Sequence, residues 1–187
     1  GKWVVLCFYP KDFSSVCPTE LLAINEKIEE FEKLDVKVFG VSVDSVQAHK
    51  KWTQEDEKSL GPLKFSLISD SLRTLAADYG VLNVTKEVAL RGTYIINPKN
   101  GKLVHASIND RRVARSIDEI IRLIKAFQYA EENDCGCPAR WEEGKPILKS
   151  SHDAEETKNY WENHLQAHFC KIVKIQVLRP LPIEYIS

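Results

Sequence analysis

The 187-residue chain contains no methionine, and none of its apolar runs approaches the roughly 18 residues needed to cross a bilayer. We therefore expect a chain trimmed from its translated start, with no signal peptide and no membrane-spanning segment. Neither sign of charge dominates, because 26 Lys and Arg residues face 27 Asp and Glu residues. Such a balance lacks the basic footprint of proteins that bind nucleic acid or anionic membranes. The sequence predicts a globular protein with neither of these partners.

Cysteine is the informative residue type, although its five copies cannot all pair within one monomer. They are Cys7, Cys17, Cys135, Cys137 and Cys170. Their spacing is unlike that of a small secreted disulfide scaffold, and it lacks the two Cys-x-x-Cys knuckles of a structural zinc site. We therefore expect reactive thiols in a reducing, cytoplasmic compartment, and no metal.

Buried strands and helical patterns alternate along the first 130 residues. Residues 3–9 form a continuous apolar run typical of a strand buried on both faces. A helix follows, with apolar residues at helical spacing from Leu21 to Leu34, and then a strand over 36–43. The next predicted elements are a surface helix over 45–58 and a strand over 65–68. A short helix comes last, capped by Asp70 or Ser71 and ending near Tyr79.

A hairpin and a long helix follow. Residues 88–96 and 102–108 flank a turn in which Asn100-Gly101 supplies positive φ. Ser116 and Glu119 form a capping box before a helix that continues to Phe127. This order predicts an α/β protein with a mixed sheet, and it resembles the thioredoxin fold.

We divide the chain into three parts. A thioredoxin-like domain is predicted over residues 1–130. An extended arm and an amphipathic terminal helix are predicted over 131–169, and an atypical tail over 170–187.

Cys17 is the candidate nucleophile of the chain because of its predicted position at the start of a helix. It would lie at the N-cap of a helix, with Pro18 at the first helical position and Glu20 in the first turn. Backbone N–H groups and the helix dipole would then stabilise a thiolate. The preceding strand places the residue at a carboxyl edge of the sheet, where α/β folds bind ligands. These residues alone leave two alternatives, a nucleophile or an inert buried cysteine.

Three separated motifs resemble those of the peroxiredoxins. They are Pro10-x-x-x-Ser14-x-x-Cys17-Pro18-Thr19-Glu20, Arg91 within ALRGTYIINP, and Cys137-Pro138-Ala139-Arg140-Trp141. The resemblance runs from Gly1 to about Trp161 and is specific to the typical two-cysteine group, the alkyl hydroperoxide reductase C or thiol-specific antioxidant type. It implies a thioredoxin-like fold with a mixed sheet flanked by helices, a C-terminal arm and a terminal helix. The N-terminal hairpin that the family carries before this point is expected to be missing.

The resemblance implies a thiol peroxidase that needs no cofactor. Cys17 would be the peroxidatic cysteine, and Cys137 of the partner subunit would be the resolving cysteine. The implied substrates are hydrogen peroxide and organic hydroperoxides. The implied partners are a second copy in a homodimer, or a decamer of dimers, and a thioredoxin-like or flavoprotein-linked reductant.

Further site residues are carried over from the family's signature. Ser14 would hydrogen-bond the peroxide, Arg91 would stabilise the thiolate, Pro10 would shield the oxidised sulfur, and Glu20 would orient the arginine.

Two candidate substrate-binding residues, Arg115 and Trp52, lie outside that signature. Arg115 falls where the family has a second arginine near its site, but NDRRVARS departs from the usual N-D-x-P-x-G-R by Arg112 and Ala114. Trp52 would line the rim of the site or pack in the core.

Two other functions compete with the peroxidase. A thioredoxin-like disulfide oxidoreductase would place a second cysteine three residues from Cys17, but Ser14 and Glu20 occupy those positions. The second alternative is a redox-regulated holdase chaperone. Cys7 is predicted to be a small buried core residue, and Cys135 a redundant resolving thiol, a metal clip or neither.

Overall fold

The computed structural model describes residues 1–55, 59–149, 151 and 154–169. Cys170 and the tail predicted over 170–187 lie outside the described residues. The chain divides into two compact units, one spanning Gly1–Gln128 and the other beginning at Tyr129. In the described part, no helix is both long and apolar enough to span a membrane.

The first unit alternates strands and helices as the sequence predicts. Its strands are β1 (Trp3–Phe8), β2 (Val36–Ser42), β3 (Ser66–Ser69), β4 (Leu82–Asn83), β5 (Val88–Ala89), β6 (Arg91–Ile96) and β7 (Leu103–Asn109). Its helices are α1 (Cys17–Glu26), α2 (Ile28–Lys33), α3 (Val46–Lys50), α4 (Thr74–Asp78) and α5 (Ile117–Asn133), the last of which continues into the second unit.

A five-stranded mixed sheet forms the centre of this unit, in the order β3-β2-β1-β6-β7. Strands β1, β2 and β3 are mutually parallel, whereas β6 runs antiparallel to both β1 and β7. The predicted mixed sheet is therefore confirmed.

Side chains of β1 alternate between two cores because successive residues of a strand point to opposite faces. Val5 and Cys7 pack in one core with Ile24 of α1 and Ile124 of α5. Phe8 packs in the other core, which includes Ala76 of α4. Helices thus cover both faces of the sheet, which explains the uninterrupted apolar run of β1.

Local signals in the sequence are borne out in part. The Asp70 carboxylate accepts the N–H groups of Leu75 and Ala76, although the helix it caps begins only at Thr74. Ser116 Oγ accepts the N–H of Glu119 at 3.3 Å, and Gly101 has a φ of 64° in the hairpin turn. Capping and turn chemistry therefore act where the sequence predicts them.

Three predicted elements are interrupted in the structure. The helix expected to continue to Leu34 breaks at Lys27 into α1 and α2. The helix expected over 45–58 is the short α3 followed by a π-helical segment, Lys51–Glu55. The strand expected over 88–96 divides at Leu90, whose N–H bonds to the Val81 carbonyl at 2.7 Å and so leaves the sheet.

The second unit contains two short strands and the predicted terminal helix. Helix α5 ends only at Asn133, and β8 (Cys135–Gly136) then pairs antiparallel with β9 (Leu148–Lys149). Helix α6 (Glu155–Phe169) follows, and the N–H of Lys149 donates to Thr157 Oγ1 at 2.9 Å. Trp141 is buried, packs against the ring of Tyr129 and donates through Nε1 to the Lys145 carbonyl. These contacts organise a segment whose glycine, proline and charged residues favoured an irregular arm.

Candidate active site

The candidate site lies at one edge of the sheet, where segments next to β1, β6 and β7 come together. Cys7 of β1 pairs with Thr93 of β6, and the same register continued two residues further puts Arg91 level with Tyr9, just past the end of β1. Arg91 pairs in turn with Asn109, the last residue of β7. The loop after β1, the start of β6 and the loop after β7 therefore meet.

Cys17 is the first residue of α1 and is completely buried. Val16 occupies the N-cap position, so the predicted helix start was wrong by one residue, while Glu20 lies in the first turn as predicted. Arg91 Nη1 donates to Cys17 Sγ at 3.4 Å. A guanidinium and the first turn of a helix both lie next to the sulfur, and each favours negative charge there.

Arg91 is itself held in place on two sides. Its Nη1 forms an ion pair with Glu20 Oε2, and its Nε donates to the Arg111 carbonyl at 2.8 Å. Gly92 follows it because a Cβ at that position would lie only 2.7 Å from Cγ1 of Val81. The arginine therefore has an anchored guanidinium on a strand that is packed too tightly for another side chain.

Glu20 binds a second arginine with its other oxygen. Glu20 Oε1 accepts from Arg115 Nε at 2.9 Å and from the Arg115 backbone N–H at 3.0 Å. Arg115 also donates to the carbonyls of Gly92 and Phe8. These bonds hold its buried guanidinium, and Arg115 is not among the described residues that line the cavity described next, so its binding of substrate stays a prediction.

A cavity of about 500 Å³ opens beside Cys17. Its wall includes four of the predicted site residues, Pro10, Ser14, Cys17 and Arg91. Ser14 Oγ donates to the Lys11 carbonyl at 2.9 Å, and its lone pairs remain able to accept a hydrogen bond from a ligand. The structure thus brings together Arg91 of β6 and the segment from Pro10 to Cys17, which are more than seventy positions apart in the sequence.

The cavity also has basic residues that sequence reasoning missed. Lys11, Lys86, Arg111 and Arg112 contribute to its wall. They come from three loops, and only the fold brings them together. The sequence offered one indication of this basic wall, since Arg112 replaces the proline of the family's N-D-x-P-x-G-R signature.

Trp52 belongs to the core and not to the site. Only 2% of it is exposed, and its ring packs against those of Tyr9 and Phe13. The described residues that line the cavity do not include it. Of the two alternatives for Trp52, the structure therefore supports core packing.

Cys7 is buried within β1, as predicted. Burial raises the pKa of its thiol, and the neighbouring Arg115 opposes this shift only in part. Cys7 is therefore held as a neutral thiol at physiological pH.

The two cysteines of the second unit lie close together in sequence but differ in local structure. Cys135 belongs to β8, where it pairs with Lys149, and Cys137 follows the strand just before Pro138. Both are half-buried, and no disulfide joins any of the four described cysteines. Within the described residues, no three His, Cys, Asp or Glu side chains gather as a metal site would require.

Comparison with known proteins identifies the family. A family model described as AhpC/TSA matches residues 1–106, which is more than half of the chain. The chain belongs to the AhpC/TSA family. The resemblance to peroxiredoxins seen in its motifs is thereby confirmed.

Similar proteins agree with this family. The chain is 47% identical over 166 residues to "Thioredoxin-dependent peroxide reductase, mitochondrial" of Drosophila melanogaster, covering 88% of this chain and 70% of that protein. It is 46% identical to "Peroxiredoxin-2" of Macaca fascicularis, covering 88% and 82%.

A solved structure also agrees with the fold. The reduced 2-Cys peroxiredoxin of Plasmodium vivax superposes with a TM-score of 0.78 at 37% identity, covering 81% of this chain and 78% of that one. The predicted thioredoxin-like fold is confirmed by this likeness.

Proposed function

We propose that the chain is a thiol peroxidase that reduces hydrogen peroxide and organic hydroperoxides at Cys17. The observation that carries the proposal is the position of Cys17 Sγ, on the wall of a cavity and 3.4 Å from an anchored guanidinium nitrogen of Arg91. The names of the similar proteins, a peroxide reductase and a peroxiredoxin, agree with it.

The first step oxidises the sulfur of Cys17. The thiolate attacks the terminal oxygen of the peroxide, so an S–O bond forms and the O–O bond breaks. Sulfur loses two electrons and becomes a sulfenic acid, and the leaving oxygen takes a proton and departs as water or an alcohol. Arg91 stabilises the thiolate and then the charge on the leaving oxygen. Ser14 binds the peroxide, and Pro10 shields the product from water.

The second step forms a disulfide with Cys137 of the partner subunit. The Cys137 thiol attacks the sulfenic sulfur, an S–S bond forms and water leaves. A thioredoxin-like or flavoprotein-linked dithiol then reduces the disulfide and is itself oxidised. A disulfide needs Cα atoms within about 7 Å, and Cys17 is completely buried, so the first turn of α1 must unwind before the thiols meet.

The proposed assembly is a homodimer, or a decamer of dimers, in the cytoplasm. A non-reducing gel of peroxide-treated protein tests the assembly. We expect a covalent dimer that disappears in both Cys17→Ser and Cys137→Ser. A band at the monomer mass only, from fully oxidised wild-type protein, would contradict the inter-subunit disulfide.

Peroxide consumption at stoichiometric protein tests the function itself. The wild-type protein should consume about one equivalent of hydrogen peroxide rapidly without added reductant, and Cys17→Ser should not. Cys7→Ala is the matched control, since it removes another buried thiol of the same unit. Slow consumption that is equal in the wild type and Cys17→Ser would refute the proposal.

A disulfide oxidoreductase is not favoured by the same site. Ser14 stands three residues before Cys17, where that mechanism would need a second cysteine, and Glu20 stands three residues after it. Both residues already have contacts, Ser14 on the cavity wall and Glu20 in ion pairs with two arginines.

A further inference from the structure

The wall of the Cys17 cavity is strongly basic. Five basic residues line it, and no acidic residue is among its described lining residues. These five are Lys11, Lys86, Arg91, Arg111 and Arg112. A concave surface with charges of one sign concentrates ligands of the opposite sign and raises their rate of association.

Two of these cations are balanced by nearby carboxylates. Arg91 pairs with the buried Glu20, and Arg112 pairs with the exposed Asp110 at 2.8 Å. The other three, Lys11, Lys86 and Arg111, form no ion pair with any described residue, and all three are exposed. Positive charge on the cavity wall is therefore left without a described counterion.

The loop after β7 contributes two of the five cations. Arg111 and Arg112 stand at the variable and proline positions of the N-D-x-P-x-G-R signature that the chain resembles. The loop is fixed over the cavity because its Arg111 carbonyl accepts from Arg91 Nε. This short turn thus contributes two basic residues to the cavity wall.

Two apolar residues line the same cavity as the basic residues and Cys17. Val16 and Val88 line the same cavity, which at about 500 Å³ is within the size range of small-molecule sites and far larger than hydrogen peroxide requires. An organic molecule with an apolar stem and an anionic end matches this arrangement of side chains.

We propose that this cavity selects organic hydroperoxides that have a carboxylate. The carboxylate would pair with Lys11, Lys86 and Arg111, the stem would contact Val16 and Val88, and the hydroperoxide would reach Cys17. This inference rests on the proposed function and adds no new chemical step. The O–O bond breaks as before, and the product is the corresponding hydroxy acid.

Paired substrates test the proposal. One is a hydroperoxide with a free carboxylate, short enough to stay monomeric in water, and the other is its methyl ester. Rates of Cys17 oxidation are measured for both, with Cys17→Ser as the background. The wild-type protein should react about tenfold faster with the carboxylate at low ionic strength. That preference should fall towards one at about 1 M salt, where the screening length is only about 3 Å.

Charge variants locate the source of the preference. Lys86→Gln and Arg111→Gln come from different loops, and each should lower the ratio of the two rates about threefold. Lys33→Gln is the matched control, because it removes the same charge just before β2, at the opposite edge of the sheet. The control should keep the wild-type ratio.

The outcomes separate this inference from the proposed function. Cys17-dependent reduction of both substrates at one rate, independent of salt, overturns the inference and leaves the peroxidase intact. A ratio that falls equally in Lys33→Gln also overturns it, since net charge and not the cavity would then be responsible. No Cys17-dependent reduction of either substrate refutes the peroxidase itself.

Discussion

Cys7 and Cys17 are two buried cysteines of one unit, and each lies beside an arginine that binds Glu20. Arg91 contacts Cys17 and pairs with Glu20 Oε2, whereas Arg115 neighbours Cys7 and pairs with Glu20 Oε1. The two sulfurs nevertheless differ in their surroundings. Cys7 is enclosed between β2 and β6, while Cys17 lies on the wall of an open cavity.

The difference shows that burial and a neighbouring cation do not by themselves make a reactive thiol. Cys17 is among the residues that line an open cavity, and the first turn of α1 adds its dipole there. Cys7 lies inside β1 and not at a helix terminus, and burial raises the pKa of its thiol. Access and local backbone therefore decide which cysteine reacts.

Replacement of each sulfur gives the largest expected contrast. Cys17→Ser should lower the rate of peroxide reduction about a thousandfold or more, because the nucleophile is lost. Cys7→Ala should keep a rate near that of the wild type and cost about 1 kcal/mol of unfolding free energy for the lost buried atom. Stopped-flow peroxide kinetics and urea unfolding measure the two effects. A Cys7→Ala protein that is folded but inactive would break the comparison.

Replacement of each arginine by lysine should affect different quantities. Arg91→Lys keeps the charge but loses the donor to Cys17, so kcat/KM should fall about a hundredfold. Arg115→Lys loses buried bonds to Phe8 and Gly92 and should cost about 2–4 kcal/mol of unfolding free energy.

The two lysine variants are compared by their activity per folded molecule, with the folded fraction taken from circular dichroism. If Arg115→Lys lost as much activity per folded molecule as Arg91→Lys, the two arginines would share one role and the contrast would fail.

Glu20→Gln should weaken both sites together. The amide keeps an acceptor for one arginine but removes the charge that both share, so we expect a loss of about 2 kcal/mol in unfolding free energy. We also expect peroxide reduction to fall about tenfold, because Arg91 is less well fixed. Glu26→Gln, in the last turn of α1, is the matched control and should change neither quantity appreciably. An effect on activity without any effect on stability would contradict the shared counterion.

The smallest effect is the dependence of stability on alkaline pH. The folded-state pKa of Cys7 is raised, so its contribution is fully present below the unfolded thiol pKa of about 8.5 and is lost as pH rises through the folded value. Wild-type unfolding free energy should therefore fall more steeply above that pH than that of Cys7→Ala, by at most about 1.4 kcal/mol per pH unit. Urea unfolding between pH 7.5 and 10.5 measures this, and equal slopes would contradict the neutral buried thiol.

Much of the fold could be predicted because its signals are local. The apolar run of β1, the Asn100-Gly101 turn and the Ser116 cap each depend on a few neighbouring residues, and each appears in the structure. The break at Leu90 could not be predicted, because its cause is a hydrogen bond to Val81, which the folded chain brings close.

The candidate site was predictable only where a motif named its residues. Cys17, Ser14 and Arg91 were found from the signature, and the structure gathers them around one cavity. Arg115 was expected to bind substrate, and Trp52 to line the rim or pack in the core, because position in the sequence does not reveal which side chains lie between a residue and the site. Glu20 separates Arg115 from the cavity, and Tyr9 and Phe13 pack around Trp52.

The carboxylate of Glu20 links redox state to the integrity of α1. With Cys17 as a thiolate, two guanidinium groups and two anions make a buried group that is electrically neutral. Oxidation to a neutral sulfenic acid removes one of those anions and leaves one positive charge without a counterion. An unbalanced charge in a protein interior is costly, so peroxide reduction itself weakens the contacts that keep the first turn of α1 closed. The first turn of α1 is thus held more firmly when Cys17 is a thiolate than when Cys17 is a sulfenic acid, which is the state that must react with Cys137.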